Sequence, residues 1–190
     1  GADVLISPST PGPDTVKQDW IRSMNTKPIV FTCANPVPEI YPYAAKEAGA
    51  YIVATGRGDF PNQVNNSLGF PGILKGALIV RARKITDNMA IAAAHSLADY
   101  AEKHGIHPDK IVPTMDEADV FPVEAADVAI QAIKDGVARI EYTWEQVYEM
   151  AKADIAHSRD TIHHLSEKGF IGMPPQEIID NALEHTLKCI

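Results

Sequence analysis

Three short apolar runs, Val4 to Ile6, Pro28 to Cys33 and Tyr51 to Ala54, constrain the fold most. Each is rich in β-branched or aromatic residues and bounded by Pro, Gly or charge, so each reads as a buried strand. Between them lie two helical patterns. Asp14 to Met24 follows Pro13, and Pro42 to Ala50 opens on Pro and carries Gly49 near its end. Strands alternating with helices pair in parallel, because a parallel neighbour needs a crossover too long for a hairpin.

Residues 55 to 70 break the pattern. They are rich in Gly, Asn and Pro with no apolar period, and loops of that length are usually functional or disordered. From Pro71 the pattern is helical almost throughout. Helices are expected over Gly72 to Ala82, from an N-cap at Thr86 to a stop at Gly105, over Phe121 to Lys134, over Thr143 to Lys168, and over 174–188 after Pro174-Pro175. Lys110 to Thr114 reads as a short extended return. A boundary within Gly136 to Tyr142 predicts an α/β portion, residues 1–140, and a helical, His- and charge-rich extension, residues 141–190.

With 190 residues, 45% of them apolar, the chain can bury a real core. Its 17 Lys and Arg against 25 Asp and Glu give a net charge of -8, which argues against nucleic acid and anionic membranes as partners. No apolar run approaches the ~20 residues of a membrane span, and no charged leader precedes an apolar stretch. A cytoplasmic protein is expected. Two distant cysteines, Cys33 and Cys189, suit a reducing compartment, with Cys33 expected as a buried thiol. Asn65-Asn66-Ser67 formally matches a glycosylation acceptor, which without secretion carries no weight. Gly1 to Ile6 has no initiator Met and runs at once into a strand pattern, as a piece of a longer chain would.

Pro61 to Gly72 places four side-chain amides, Asn62, Gln63, Asn65 and Asn66, within five residues ahead of a helix. Amides donate and accept, so such a loop can hold a carboxylate beside a carbonyl or hydroxyl without adding charge. Asn-rich loops also satisfy their own backbone in this way. Asn35 follows the second strand directly, where parallel sheets gather ligands; the competing reading is a turn fixed by Pro36 and Pro38. After the third strand, Gly56 and Gly58 allow close backbone approach, and Arg57 either clamps an anion or pairs with Asp59 to hold the loop. Ser7 to Gly12 leaves the first strand and offers backbone contacts to a cofactor, or is a plain loop.

His157, Asp160 and His164 fall at helical spacing, but no strict metal signature is present and their charged surroundings read as a solvated helix face. No Gly-x-Gly-x-x-Gly turn follows a strand, and neither a Gly-Lys-Ser/Thr phosphate loop nor a Gly-x-Ser-x-Gly elbow occurs.

The motifs in order, Gly-Ala-Asp-Val-x-Ile at 1–6, Ala-Asn-Pro-x-Pro-Glu at 34–39, the amide-bearing block at 54–66 and Phe-Pro-Gly-Ile-x-x-Gly-Ala-Leu at 70–78, closely resemble the short prokaryote-type malic enzymes. The likeness continues more weakly from Lys110–Thr114 to Gly136–Arg139 and covers about two thirds of the chain. It implies an α/β fold, the later strands of a doubly wound Rossmann-like parallel sheet followed by a helical C-terminal extension. It also implies oxidative decarboxylation of malate to pyruvate with reduction of NAD or NADP.

By the same resemblance, Asn35 and Asn66, with Asn65 as their neighbour, bind substrate, while Ser7, Pro8, Ser9, Asn35 and Gly56 lie along the cofactor. The family's general-acid Tyr, general-base Lys, ligands for a divalent cation (Mg or Mn) and Gly-rich pyrophosphate turn belong upstream of Gly1. Tyr41, Tyr43 and Lys46 stand in the wrong motif for those roles and read as structural. No catalytic or metal residue is therefore assigned here. The chain is expected to be inactive alone, with the missing N-terminal part of the polypeptide and a second copy, in a dimer, as its partners. Two alternatives remain open: a non-catalytic interaction module, and a fragment of another nicotinamide-dependent hydroxy-acid dehydrogenase.

Overall fold

The structure, a computed structural model, describes residues 1–172 and 174–187, so Cys189 lies outside the described residues. Its three strands are β1 (Val4–Ser7), β2 (Ile29–Thr32) and β3 (Ile52–Thr55). They form one parallel sheet in the order β1-β2-β3, with Ser7 opposite Thr32 and Thr32 opposite Thr55. All three therefore end level, and the loops after them open along one edge. This is the α/β, Rossmann-like arrangement expected.

The crossovers are α1 (Gln18–Arg22) and α2 (Pro42–Glu47). Ile21 and Ala45 on them pack with Val30 and Val53 into a core on one face of the sheet. α1 is shorter than its sequence pattern, because the Val16 N–H donates to the Glu39 carbonyl instead of joining a helix. β1 corrects the expectation of three buried strands. Val4 and Ile6 are 49% and 66% exposed, since a parallel sheet needs cover on both faces and these helices cover one.

Four longer helices begin after the amide loop: α3 (Phe70–Ile79), α4 (Asp87–Lys103), α5 (Val120–Lys134) and α6 (Trp144–Glu167). Thr86 caps α4 as expected, its hydroxyl accepting from the Met89 N–H at 3.2 Å, and Gly105 ends it in a left-handed conformation at φ +87°. α3 and α5 cross closely: a Cβ at Gly76 would collide with the Ala125 carbonyl oxygen. Val80, Met89, Ala126, Ala129 and Val147 form the helical core, and Trp144 Nε1 ties α6 to Asp127 Oδ1 at 2.7 Å. Lys110 to Thr114 is not a strand. Lys110 makes an isolated bridge to His107, and the Ile111 N–H is taken by the Asn62 side chain.

The chain divides into two compact units, one ending at Lys152 within α6 and one beginning at Ala153. The second holds the rest of α6 and α7 (Gln176–Leu187). There His157, Asp160 and His164 are exposed; His164 Nδ1 lies 2.7 Å from the Asp160 carbonyl, and His163 pairs with Glu167 at 3.0 Å. No described helix is long and apolar enough to cross a membrane.

Candidate functional site

The three strand exits and the amide loop are tied into one rim, and the ties are specific. Glu39, fully buried, joins the first two exits. Its Oε1 accepts from Ser7 Oγ (3.0 Å), the Ser9 N–H (2.6 Å) and Ser9 Oγ (3.2 Å), while its Oε2 accepts from the Ala34 N–H (3.0 Å). Burial pushes this carboxyl upward, but the Ser9, Ala34 and own-backbone N–H groups with the Ser7 hydroxyl outweigh it and hold the pKa below the usual carboxylate value. The bound form is therefore a carboxylate.

Arg57 joins the second exit to the third. Its guanidinium grips Asp59 bidentately at 2.7 and 2.6 Å and donates from Nη1 to the Pro36 carbonyl at 3.0 Å. The ion-pair reading of Arg57 and Asp59 is the one the structure shows. Asn65 joins the third exit to the amide loop: its Nδ2 donates to the Gly56 carbonyl (2.6 Å), and its Oδ1 accepts from the Ser67 N–H (2.9 Å) in a side-chain turn. Asn62, buried and at φ +57°, fastens the loop from beneath. It donates to the Val53 and Pro108 carbonyls (3.0 and 2.7 Å) and accepts from the Ile111 N–H (2.8 Å).

The residues singled out in the sequence occupy this rim unequally. Asn35 and Asn66 are exposed, and neither side chain hydrogen-bonds a described residue. Both are free to meet a ligand. Pro8 is also exposed, whereas the Ser7 and Ser9 hydroxyls and the Ser9 N–H are spent on Glu39. Gly56 leaves room in front of its backbone, since a Cβ there would meet nothing nearer than the Cys33 carbonyl at 3.7 Å. Cys33 is half-buried rather than buried, and burial followed by nearby Glu39 raises its thiol pKa. Tyr41 and Tyr43 stack on each other, and Lys46 binds the Tyr51 carbonyl and Asp109.

Sequence reasoning missed Glu39 and Glu124. An acid inside Pro36-Val37-Pro38-Glu39-Ile40 and another inside Val123-Glu124-Ala125-Ala126 were the available signals, since charge within an apolar run implies a buried partner. Glu124 is fully buried with neither oxygen hydrogen-bonded among the described residues, and burial lifts its pKa to about 8 against a smaller lowering pull from the Gly72 N–H.

A level row of parallel strand ends with loops opening along one edge defines an α/β domain of the kind that gathers ligands at its strand ends. Comparison with known proteins says which. The family described as malic enzyme, NAD binding domain, matches residues 2–135. The bifunctional malic/malolactic enzyme of Bacillus subtilis is 46% identical over 151 residues, 80% of this chain and 36% of its own length. The NADP-dependent malic enzyme of Halomonas elongata is 41% identical over 157 residues, 75% of this chain and 37% of its own. The solved malic enzyme of Entamoeba histolytica is 68% identical with a TM-score of 0.95, over 99% of this chain and 39% of that one. The chain belongs to the malic enzyme family, and its residues 2–135 match that family's NAD-binding domain. It covers less than two fifths of the length of these relatives.

Proposed function

We propose that this chain is the cofactor-side portion of an NAD(P)-dependent malic enzyme, which oxidises malate and releases pyruvate and carbon dioxide. The observation that supports it most is that the Asn35 and Asn66 amides are exposed and uncommitted on a rim where Glu39, Arg57 and the Gly56 carbonyl are engaged within the chain. Pro8, Asn35 and Gly56, with the Ser7 to Ser9 loop, would hold a dinucleotide at the strand ends. A nicotinamide bound there would supply the hydride acceptor for oxidation of the substrate carbon. Asn35 and Asn66 donate amide hydrogens to a malate carboxylate and aim that carbon, and their neutrality leaves the developing charge unquenched. Asn65 keeps one amide hydrogen uncommitted and is the candidate third contact, while its other bonds hold Gly56 in place.

Among the described residues no three His, Cys, Asp or Glu side chains come together as a metal site. Mg or Mn would, as the family resemblance implies, be held by residues outside this chain. We further propose residues 1–140 as the functional α/β portion with 141–190 as an extension, a homodimer, and a cytoplasmic location. The test is turnover. The full-length polypeptide with malate, Mn and NAD(P) should yield pyruvate and reduced nicotinamide, and the present chain alone should yield neither. Reduction by the chain alone, or with lactate or isocitrate in place of malate, overturns the assignment.

A further inference from the structure

Glu124 lies early in α5, against the first turn of α3. Two glycines make its slot. A Cβ at Gly72 would collide with its carboxyl, and one at Gly69 would lie 3.7 Å from its Oε1. The side chain is fully buried there, and neither oxygen closes a hydrogen bond to a described residue. A buried acid of this kind calls for an explanation.

The turn above it supplies one. The Gly69 and Phe70 N–H groups both donate to the Asn66 carbonyl, Pro71 has no N–H, and the Ile73 N–H donates to the Gly69 carbonyl. That leaves the Gly72 N–H to face the acid. Asn66, which receives two of these donors, is also the residue whose exposed amide is assigned to substrate. An ionised carboxylate without a countercharge would be costly in such a seam, whereas a neutral acid can stay.

We propose that Glu124 is a positioning residue for the Asn65–Asn66 turn: its carboxyl, seated in the Gly69–Gly72 slot, fixes the start of α3 and so the direction in which Asn66 is presented to the substrate carboxylate. This rests on the assignment of Asn66 given above. Displacing a substrate-holding group without touching it weakens substrate binding selectively. In the full-length enzyme, E124A should raise the KM for malate about tenfold, with kcat within about threefold and the KM for dinucleotide unchanged. E124Q, neutral and of the same shape, should stay within about twofold of the parent. G72A/E124A refills the slot with a methyl group; it should recover the thermal midpoint that E124A loses but keep the raised malate KM, and it serves in place of E124A if that variant does not fold. An unchanged malate KM in E124A, equal shifts in both KM values, or recovery of the malate KM in the double variant overturns the proposal. If the parent does not turn over malate, the functional assignment fails instead. Hydrogen exchange of residues 63–72 then decides for Glu124, faster exchange in E124A with parent-like exchange in E124Q supporting it and identical exchange in all three overturning it.

Discussion

Glu39 and Glu124 are both fully buried glutamates at the candidate site, and they are held in opposite states. Glu39 sits where two strand exits converge, with two backbone N–H groups and two hydroxyls directed at it, and stays a carboxylate. Glu124 sits where two helices converge over glycines, with one unclosed N–H nearby, and its pKa rises to about 8. Solvent reaches neither side chain, but Glu124 lies the deeper of the two. Depth and the number of donors that the local backbone can aim decide the charge together, because loops expose N–H groups and helix sides have already used theirs.

The comparison is broken most directly at Glu39. Glu39→Ala removes the acceptor for four donors, two of them backbone, and should cost ~3–5 kcal/mol in denaturant unfolding of the full-length protein with loss of dinucleotide binding. A loss below about 1 kcal/mol would show that the loops do not depend on this carboxylate. Next comes pH. Glu39 has a lowered folded-state pKa, so the stability it confers is present above the ordinary carboxylate range and lost as pH falls through its folded value. Glu124 runs the other way. Its pKa rises from 4.5 to about 8, so its favourable contribution is complete below pH 4.5 and is lost as pH climbs to about 8. Allowing for relaxation around a buried charge, this decline should amount to ~2–4 kcal/mol, and E124Q should flatten it. Parallel pH–stability curves for E124Q and the parent would sink the contrast.

The smallest effects separate binding from scaffolding within one loop. Asn66→Ala should lower the specificity constant for malate about ten- to a hundred-fold, ~1.5–3 kcal/mol, with the thermal midpoint unmoved. Asn62→Ala should spare kinetics in the folded fraction and lower the midpoint instead, since its three bonds hold β3 to the 108–111 segment. The reverse pattern, kinetics lost at Asn62 and kept at Asn66, would exchange their roles.

What was legible in the sequence was local. Thr86 and Gly105 bracket α4 because capping is a matter of neighbouring residues, and the three strands stand where the β-branched runs are. The exposure of Val4 and Ile6 was not legible, because it depends on what covers the far face of the sheet. Asn35 could be singled out at a strand exit and Asn66 in an amide-rich loop, yet the groups behind them could not. Glu39 acts on residues 30 and 32 positions away, and Asn62 on residues 46 and 49 positions away, distances at which no period or spacing signals a hydrogen bond. Lys110 to Thr114 has strand-like composition but spends a backbone donor on Asn62, a competition visible only once the chain has closed on itself.

The slot shared by Gly72 and Glu124 also bears on how such a sequence can drift. Any side chain at position 72 meets the carboxyl of residue 124, and any shortening at 124 opens a hole against position 72. Neither position can be exchanged freely while the other is kept, so among descendants of this chain the two should change together or remain as they are. A lineage that replaces Glu124 with a small residue gains permission for alanine at 72, and with it a stiffer first turn of α3.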